Sequence, residues 1–223
     1  MNLIVSAIGQ GFLWGVLGLA LYISFRIMNT TDMTVEGTFP LGAAIAVSLI
    51  VKGVNPLLAS LAAFFGGALA GLVTSFLITK GKIPSLLAGI LTMTGLYSVN
   101  LRILGKSNVS LLGQKTIFSA KIFRSLPQYF DSVFLGTIIM VVVTAIVIYI
   151  LMTDFGQAFI ANGDNPQMAK AMGDQAGRMT ATGLMLSNGL VACAGRLLPK
   201  QWLCRHQHGD GDYCHCPGFH YYQ

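Results

Sequence analysis

Cysteine and histidine side chains, the usual protein ligands of zinc, are concentrated near the C-terminal end of the chain. Cys214 and Cys216 are separated by the single residue His215, so no chelating turn of about two intervening residues can form between them. The preceding segment 209–212 supplies no apolar core. The remaining candidate ligands in this region are Cys204, His206, His208 and His220. Because the spacing is poor, we predict that the chain carries no metal site.

Two carboxyl groups, Asp32 and Glu36, lie in a polar stretch that leads into an apolar run. An acid exposed to lipid is energetically costly, so both side chains must face water or polar partners. Either they are solvated residues favoured by the dipole of the following helix, or they line a substrate path or hold a break in the helix. A similar choice, between close helix packing and an unwound helix that exposes carbonyls, applies to Gly37, Pro40 and Gly42.

The most polar cluster within any apolar stretch lies between residues 92 and 102. Serine and threonine hydroxyls can bond to their own helix backbone, so they alone indicate little. Asn100 and Arg102 are more informative, since an amide and a guanidinium could contact a carboxylate-bearing solute, although Arg102 is close enough to the interface to extend into it. The candidate residues of a substrate path are Asp32, Glu36, Thr94, Tyr97 and Asn100.

A polar segment rich in small residues, 154–178, separates two apolar stretches. Within it Asn165 can act as a helix N-cap, Pro166 suits the first helical position and Gly173 suits the C-terminal cap. The pattern predicts a helix of about two turns at the membrane surface, which is too short to be stable alone in water. The apolar side chains that need burial are those of Met168, Ala169 and Met172. A partner protein is the natural candidate to cover them.

The elements that position these residues follow from the composition, which is 54% hydrophobic and only 10% charged. Soluble domains contain about a quarter charged residues, so the chain is a membrane protein. The stretches apolar enough to be spans are about 3–25, 38–52, 56–79, 84–104 and 132–153, with a sixth that begins near Met179. We therefore predict an all-α, polytopic transmembrane helix bundle with about six spans.

The net charge of +6 reflects cations in the short loops between spans, where they set orientation, and it implies no nucleic-acid partner. Lys80 and Lys82 in one loop, with Lys170 and Arg178 in segment 154–178, indicate that both loops are cytoplasmic. The N-terminus would then lie outside. The cations that oppose this orientation are Lys106, Lys115, Lys121 and Arg124.

The C-terminal sequence changes character partway through the apolar run 184–195, which is too short to complete a span. Read in a shifted frame, the codons of residues 212–223 can encode mainly Ile, Thr, Val and Ala, although His, Tyr and Asp codons give Ile, Thr or Met in that frame by necessity. We therefore predict a frameshift after Gly195. In this interpretation residues 1–195 form an incomplete, truncated transmembrane domain and residues 196–223 an aberrant, unstructured tail.

With these residues in view, the chain resembles the permease subunits of ATP-binding-cassette (ABC) importers of the branched-chain amino acid and ribose type. Within that family the tryptophan/tyrosine-type permeases resemble it most. Three segments carry the likeness, and segment 154–178 is the most specific because its small residues and Asn-Pro turn match a cytoplasmic coupling segment in order and spacing. The other two segments are 32–44 and 187–195. The likeness covers residues 1–195, and family members continue with further spans beyond Gly195.

The resemblance implies a permease that pairs with a second permease copy or a homologous permease, cytoplasmic ABC ATPase subunits and an extracytoplasmic substrate-binding protein. It places the chain in the lipid bilayer of a bacterial plasma (inner) membrane and implies amino-acid transport. ATP would bind to the partner ATPase, with no cofactor on this chain. The ATPase-coupling residues it implies are Gly156, Ala158, Ala161, Asp164, Asn165, Pro166, Met168, Ala169, Met172 and Gly173.

Two other classes of function remain as alternatives. A secondary transporter or channel driven by an ion gradient would need paired ionisable groups near the membrane midplane, and the spans offer almost none. An intramembrane enzyme would need paired acids or a metal triad. The spans also contain no nucleotide-binding loop and no Ser/His/Asp arrangement, so we predict a transport subunit with no catalytic residues.

Overall fold

The computed structural model describes residues 2–104, 128–165, 167–168 and 176–204, and these residues contain helices and no strand. The α-helices are α1 (Asn2–Leu21), α2 (Val35–Val51), α3 (Pro56–Thr79), α4 (Ser85–Leu104), α5 (Gln128–Met152), α6 (Asp154–Asp164) and α7 (Ala176–Cys204). Helix α1 continues directly into a π-helical segment, Tyr22–Ile27. The prediction of an all-α helix bundle is confirmed.

Helices occupy all six predicted span positions, but fewer are clear spans by length and composition. In the described part of the chain two helical segments qualify, Leu57–Thr79 and Ser85–Ile103. A third is counted if Gly136–Met152 and Asp154–Asp164, which meet at an angle of 81°, form one broken span. Shorter apolar helices are Trp14–Ile27 and Val35–Ile50. The lower count has a physical reason, because α2 has only 17 residues, fewer than the roughly 20 that cross a bilayer.

Helix α7 lies at the centre of the bundle and packs most extensively on α3 and α2. Its middle section, residues 184–194, is buried except for Met185, Leu186 and Cys193, which are partly buried. Glycine permits the close approach, because a Cβ atom on Gly71 of α3 would collide with the carbonyl of Leu184. Gly71 in the third span therefore serves helix packing, as glycine does in many membrane proteins.

Helix α2 runs without a break from Val35 to Val51, with Pro40 inside it. The alternative of an unwound helix here is therefore wrong. Gly37 lies against Met93 and Leu96 of α4, and a Cβ atom on Gly42 would collide with the carbonyl of Ala192 in α7. These glycines are needed because α2 passes between two helices at short range.

One end of the bundle gathers the segments that the sequence assigned to the cytoplasm. Gly163 of α6 lies against the carbonyl of Ile27 at the end of the π-helical segment, and Gly177 at the start of α7 lies against Thr79 at the end of α3. The hydroxyls of Thr31 and Ser85 are 3.0 Å apart, which joins the loop before α2 to the start of α4. The loop containing Lys80 and Lys82 and the start of α7 therefore share one end, as the orientation argument requires.

Helix α7 does not end at Gly195 but continues to Cys204. The sixth helix is therefore not cut short, and residues 196–204 are helical rather than unstructured. The domain boundary at Gly195 stays a prediction. The four histidines, Cys214 and Cys216 lie outside the described residues, and so does the rest of the predicted tail beyond Cys204. Among the residues that are described, no group of three or more His, Cys, Asp or Glu is placed to hold a metal ion.

Candidate functional site

Asp32 is buried in the bundle, with 2% of its surface exposed. One carboxyl oxygen, Oδ1, accepts a hydrogen bond from the backbone N–H of Thr34 at 2.9 Å. The other, Oδ2, accepts from Nδ2 of Asn188 at 2.7 Å. The interpretation of Asp32 as a solvated loop residue is therefore wrong. Its carboxyl group instead joins the loop before α2 to the middle of α7.

Asn188 connects three parts of the structure from the centre of α7, where it has no exposed surface. Its Nδ2 donates to Asp32 and also to the carbonyl of Leu184, at 3.1 Å. Its Oδ1 accepts from the hydroxyl of Thr38 in α2 at 2.9 Å. A buried carboxamide is stabilising only when both its ends are bonded, and here both are.

A pair of threonines extends these contacts to α3. The hydroxyls of Thr34 and Thr74 are 2.8 Å apart and both residues are fully buried. We call Asp32, Thr34, Thr38, Thr74 and Asn188 the buried polar network. In a low-dielectric interior such bonds fix helix positions strongly, and an unpaired member is costly. The network can therefore define the relative positions of α2, α3 and α7.

The predicted path residues do not lie together. Glu36 and Thr94 are exposed, and Tyr97 is 66% exposed. Thr94 donates to the carbonyl of Leu91 in its own helix, at 2.9 Å. Asn100 is buried: its Nδ2 donates to the carbonyl of Gly37 at 3.3 Å, and its Oδ1 has no hydrogen-bond partner among the described residues. Only Asp32 and Asn100 thus reach the interior, both next to α2.

Asn188, Thr38 and Thr74 were missed as site residues by the sequence reasoning. The signal for Asn188 was present, since a carboxamide in the middle of the apolar run 184–195 is costly unless it has partners. For Thr38 and Thr74 no such signal exists. A threonine in a membrane helix usually bonds to its own backbone, and Thr74 does so as well, to the carbonyl of Ala70.

The first half of segment 154–178 is a helix rather than the loop that the sequence suggested. Thr153 is the N-cap of α6 and its hydroxyl accepts from the N–H of Gly156 at 3.4 Å. Asp154 lies in the first turn, where the helix dipole favours an acid. The Thr-Asp pair is a helix start signal that was missed because the residues after it include two glycines and the segment was taken for a loop.

Asn165 ends α6 in an extended conformation and caps the next helical turn. Its Oδ1 accepts from the N–H groups of Gln167 and Met168, each at 3.1 Å. The predicted N-cap is confirmed. Met168 is 60% exposed, and Ala161, Asp164 and Asn165 are exposed as well. The predicted coupling residues that lie outside the described residues are Pro166, Ala169, Met172 and Gly173.

The opposite face of α6 is seated on the bundle. Phe159 is 4% exposed and lies against Gly183 of α7, which also faces the sulfur of Met28. Gly163 lies against the carbonyl of Ile27. Gly156 is buried and Ala158 is half-buried. The helix therefore has one face fixed to the π-helical segment and α7. Another face, which includes Ala161 and Asp164, is open to a partner.

The family whose model matches the sequence is the branched-chain amino acid transport system / permease component family, over residues 3–202. The chain belongs to this permease family. The match continues past Gly195, where the sequence-based likeness was expected to end. The family implies a transport subunit rather than an enzyme.

Three curated relatives resemble this permease. It is 36% identical to a tyrosine transport system permease protein of Clostridioides difficile over 90% of the present chain and 65% of the relative. It is 35% identical to an uncharacterized protein of Rickettsia prowazekii over 88% of the chain and 68% of the relative. It is 30% identical to the ribose import permease protein RbsC of Bacillus subtilis over 76% of the chain and 52% of the relative. The permease thus spans about half to two thirds of the length of these relatives. No solved structure matches it.

Proposed function

We propose that this chain is a membrane-spanning permease subunit of an ATP-driven (ABC) importer that translocates an amino acid or a similar small polar solute. The observation that carries the proposal is the family match over residues 3–202. One relative is named for tyrosine and another for ribose, which supports a small polar solute and favours an amino acid. The chain is a multi-pass protein of the bacterial plasma (inner) membrane in this proposal.

The complex contains further proteins that supply what this chain lacks. Two cytoplasmic ABC ATPase subunits bind and hydrolyse ATP, a second permease copy or a homologous permease completes the translocation path, and an extracytoplasmic protein delivers the solute. No cofactor binds to the permease itself, and nucleic acid plays no part. The buried polar network fixes the helices around the path. Asn100 is a buried amide next to α2 whose Oδ1 has no partner among the described residues and could accept from a solute.

Coupling to the ATPase takes place through segment 154–178. Supporting features are the exposed face of α6 and the exposed, Asn165-capped turn that carries Met168. An exposed methionine on a short helix at the cytoplasmic end is suited to burial by a partner. The residues proposed for this contact are Gly156, Ala158, Ala161, Asp164, Asn165, Pro166, Met168, Ala169, Met172 and Gly173.

The proposal is tested by placing a charge in the coupling contact. The variants Met168→Glu and Ala169→Glu should bury a carboxylate against the ATPase and reduce co-purification of the ATPase by at least about tenfold, because an unpaired buried charge costs about 3–5 kcal/mol. Reconstituted vesicles should lose ATP-dependent uptake of tyrosine, the probe suggested by the named relative.

A matched control is Lys52→Glu, which adds negative charge at the exposed C-terminal cap of α2, the end remote from segment 154–178. The 17 residues of α2 separate this position from the cytoplasmic end by about 25 Å. The control should retain ATPase binding. Unchanged ATPase binding in the two segment variants would contradict coupling through this segment. Uptake that runs on an ion gradient without ATPase subunits would instead support the secondary transporter.

A further inference from the structure

The contacts that hold α6 against the bundle are linked to the buried polar network by a short length of chain. Phe159 and Gly163 of α6 lie against Met28 and Ile27, the residues that end the π-helical segment. Asp32 of the network follows Met28 by four positions. A displacement of α6 therefore acts on the chain that leads into Asp32 as well as on α7.

That chain is held in a defined path rather than free. The N–H of Met28 donates to the carbonyl of Ile23 at 3.0 Å, and Asn29 then turns the backbone with a φ of 51°. The N–H and hydroxyl of Thr30 both donate to the carbonyl of Ser24, at 3.2 and 3.3 Å. These bonds give the chain between Met28 and Asp32 a defined conformation, through which a displacement of Met28 would act on Asp32. Single π-helical turns of this kind are frequent at functional positions.

Both ends of this connection meet the same helix. Phe159 of α6 lies against Gly183, and Asp32 bonds to Asn188, five residues further along α7. The contacts from α6 through the π-helical segment to Asp32 and back through α7 form a closed circuit. A shift of α6 relative to α7 consequently strains the Asp32–Asn188 hydrogen bond.

We infer that Asp32 and Asn188 are a positioning pair that transmits displacement of α6 to the start of α2, an inference that rests on the proposed coupling role of segment 154–178. The pair reaches α2 by two routes: Asp32 holds the N–H of Thr34, and Asn188 holds the hydroxyl of Thr38. Next to Thr38, Gly37 presents its carbonyl to Asn100, a candidate residue of the solute path. The pair thus stands between the ATPase contact and the path.

Hydrogen exchange of the purified chain in lipid nanodiscs, measured by mass spectrometry, tests the coupling between α6 and the start of α2 without any partner protein. Asn188→Asp places two carboxyl groups together and should raise exchange at residues 28–38 and also in α6, each by about fivefold or more, as expected for coupled sites. The exchanged pair Asp32→Asn with Asn188→Asp restores a carboxamide donor and a carboxyl acceptor. It should return both regions to within about twofold of the original rates.

The reverse perturbation uses Phe159→Leu, which weakens the packing of α6 against the bundle. It should raise exchange at residues 28–38, because coupling between sites is reciprocal. The control is Thr92→Ala, a buried position whose hydroxyl bonds only to its own helix at Ala88. It should leave both regions unchanged. If Asn188→Asp prevents folding, Phe159→Leu alone decides the question.

The inference is overturned if Asn188→Asp raises exchange at residues 28–38 but not in α6, or if Phe159→Leu leaves residues 28–38 unchanged. Either result can occur while Met168→Glu still abolishes ATPase binding. Failure of the inferred role of Asp32 and Asn188 is therefore distinguishable from failure of the proposed function.

Discussion

Helices α4 and α7 both carry polar side chains within apolar sequence, but they use them in opposite ways. In α4 the polar residues are numerous, and the hydroxyls of Thr92 and Thr94 bond to their own helix. In α7 the central polar residues are few, and each bonds to another element. Ser187 donates to the carbonyl of Ala20 in α1, at 2.8 Å, and Asn188 bonds to Asp32 and Thr38.

The difference shows that the number of polar residues in a membrane helix does not locate its important contacts. A hydroxyl satisfied within its own helix can lie on the exposed surface of the bundle at little cost, as that of Thr94 does. A carboxamide cannot satisfy both of its ends on one helix, so Asn188 must find partners elsewhere. We therefore expect substitutions in α7 to affect stability far more than equivalent ones in α4.

The largest effect is expected for the matched pair Asn188→Leu and Asn100→Leu. Asn188→Leu removes three hydrogen bonds and leaves the Asp32 carboxyl with one donor fewer, which should cost about 2–4 kcal/mol of unfolding free energy. Asn100→Leu removes one long bond and should cost about 1 kcal/mol or less. Denaturant unfolding in detergent measures both. Equal losses would refute the comparison.

A smaller difference is expected for Gly71→Ala and Gly95→Ala. The new Cβ atom at Gly71 would meet the carbonyl of Leu184 and force α3 away from α7, at a cost of about 1–3 kcal/mol. At Gly95 of α4 nothing lies within 4 Å of the added atom, so the change should be neutral or stabilise the helix by less than about 1 kcal/mol. A destabilised Gly95→Ala protein would indicate that another helix covers α4. The thermal midpoints of the two variants provide the measurement.

The smallest effect is expected for the hydroxyl deletions Ser187→Ala and Thr94→Ala. Ser187 makes a bond between helices, which in membrane proteins contributes about 0.6 kcal/mol on average. Thr94 bonds within α4, so its loss should be close to zero. This pair needs the same denaturant titration with replicate precision of about 0.3 kcal/mol. A larger loss at Thr94 than at Ser187 would reverse the ranking on which the comparison rests.

The helix positions were predictable because long apolar runs leave few alternatives to a membrane helix. The capping role of Asn165 was predictable for a local reason, since the acceptor and its donors are close in sequence. The positions of α3, α4 and α5 all agree with the apolar stretches. What the amino-acid pattern determines directly is thus the local structure.

The contacts between helices were not predictable in the same way. Asp32 and Asn188 are 156 positions apart, and nothing in either segment specifies the other. The sequence of the π-helical segment Tyr22–Ile27 suits an α-helix equally well. Helix α6 was missed because its composition resembles a loop, although burial of Phe159 stabilises it. In each case tertiary packing decides a matter that local preference leaves open.

The angle of 81° between α5 and α6 has a mechanical consequence. The break lies at Thr153, so the 11 residues of α6 form an arm of about 16 Å that runs across the end of α5 rather than along it. A tilt of about 10° about Thr153 would displace the far end at Asp164 by about 3 Å, while Gly156 would move by less than about 1 Å. A push applied near Asn165 therefore acts with the greatest leverage on the bundle, and the same push applied near Gly156 has almost none.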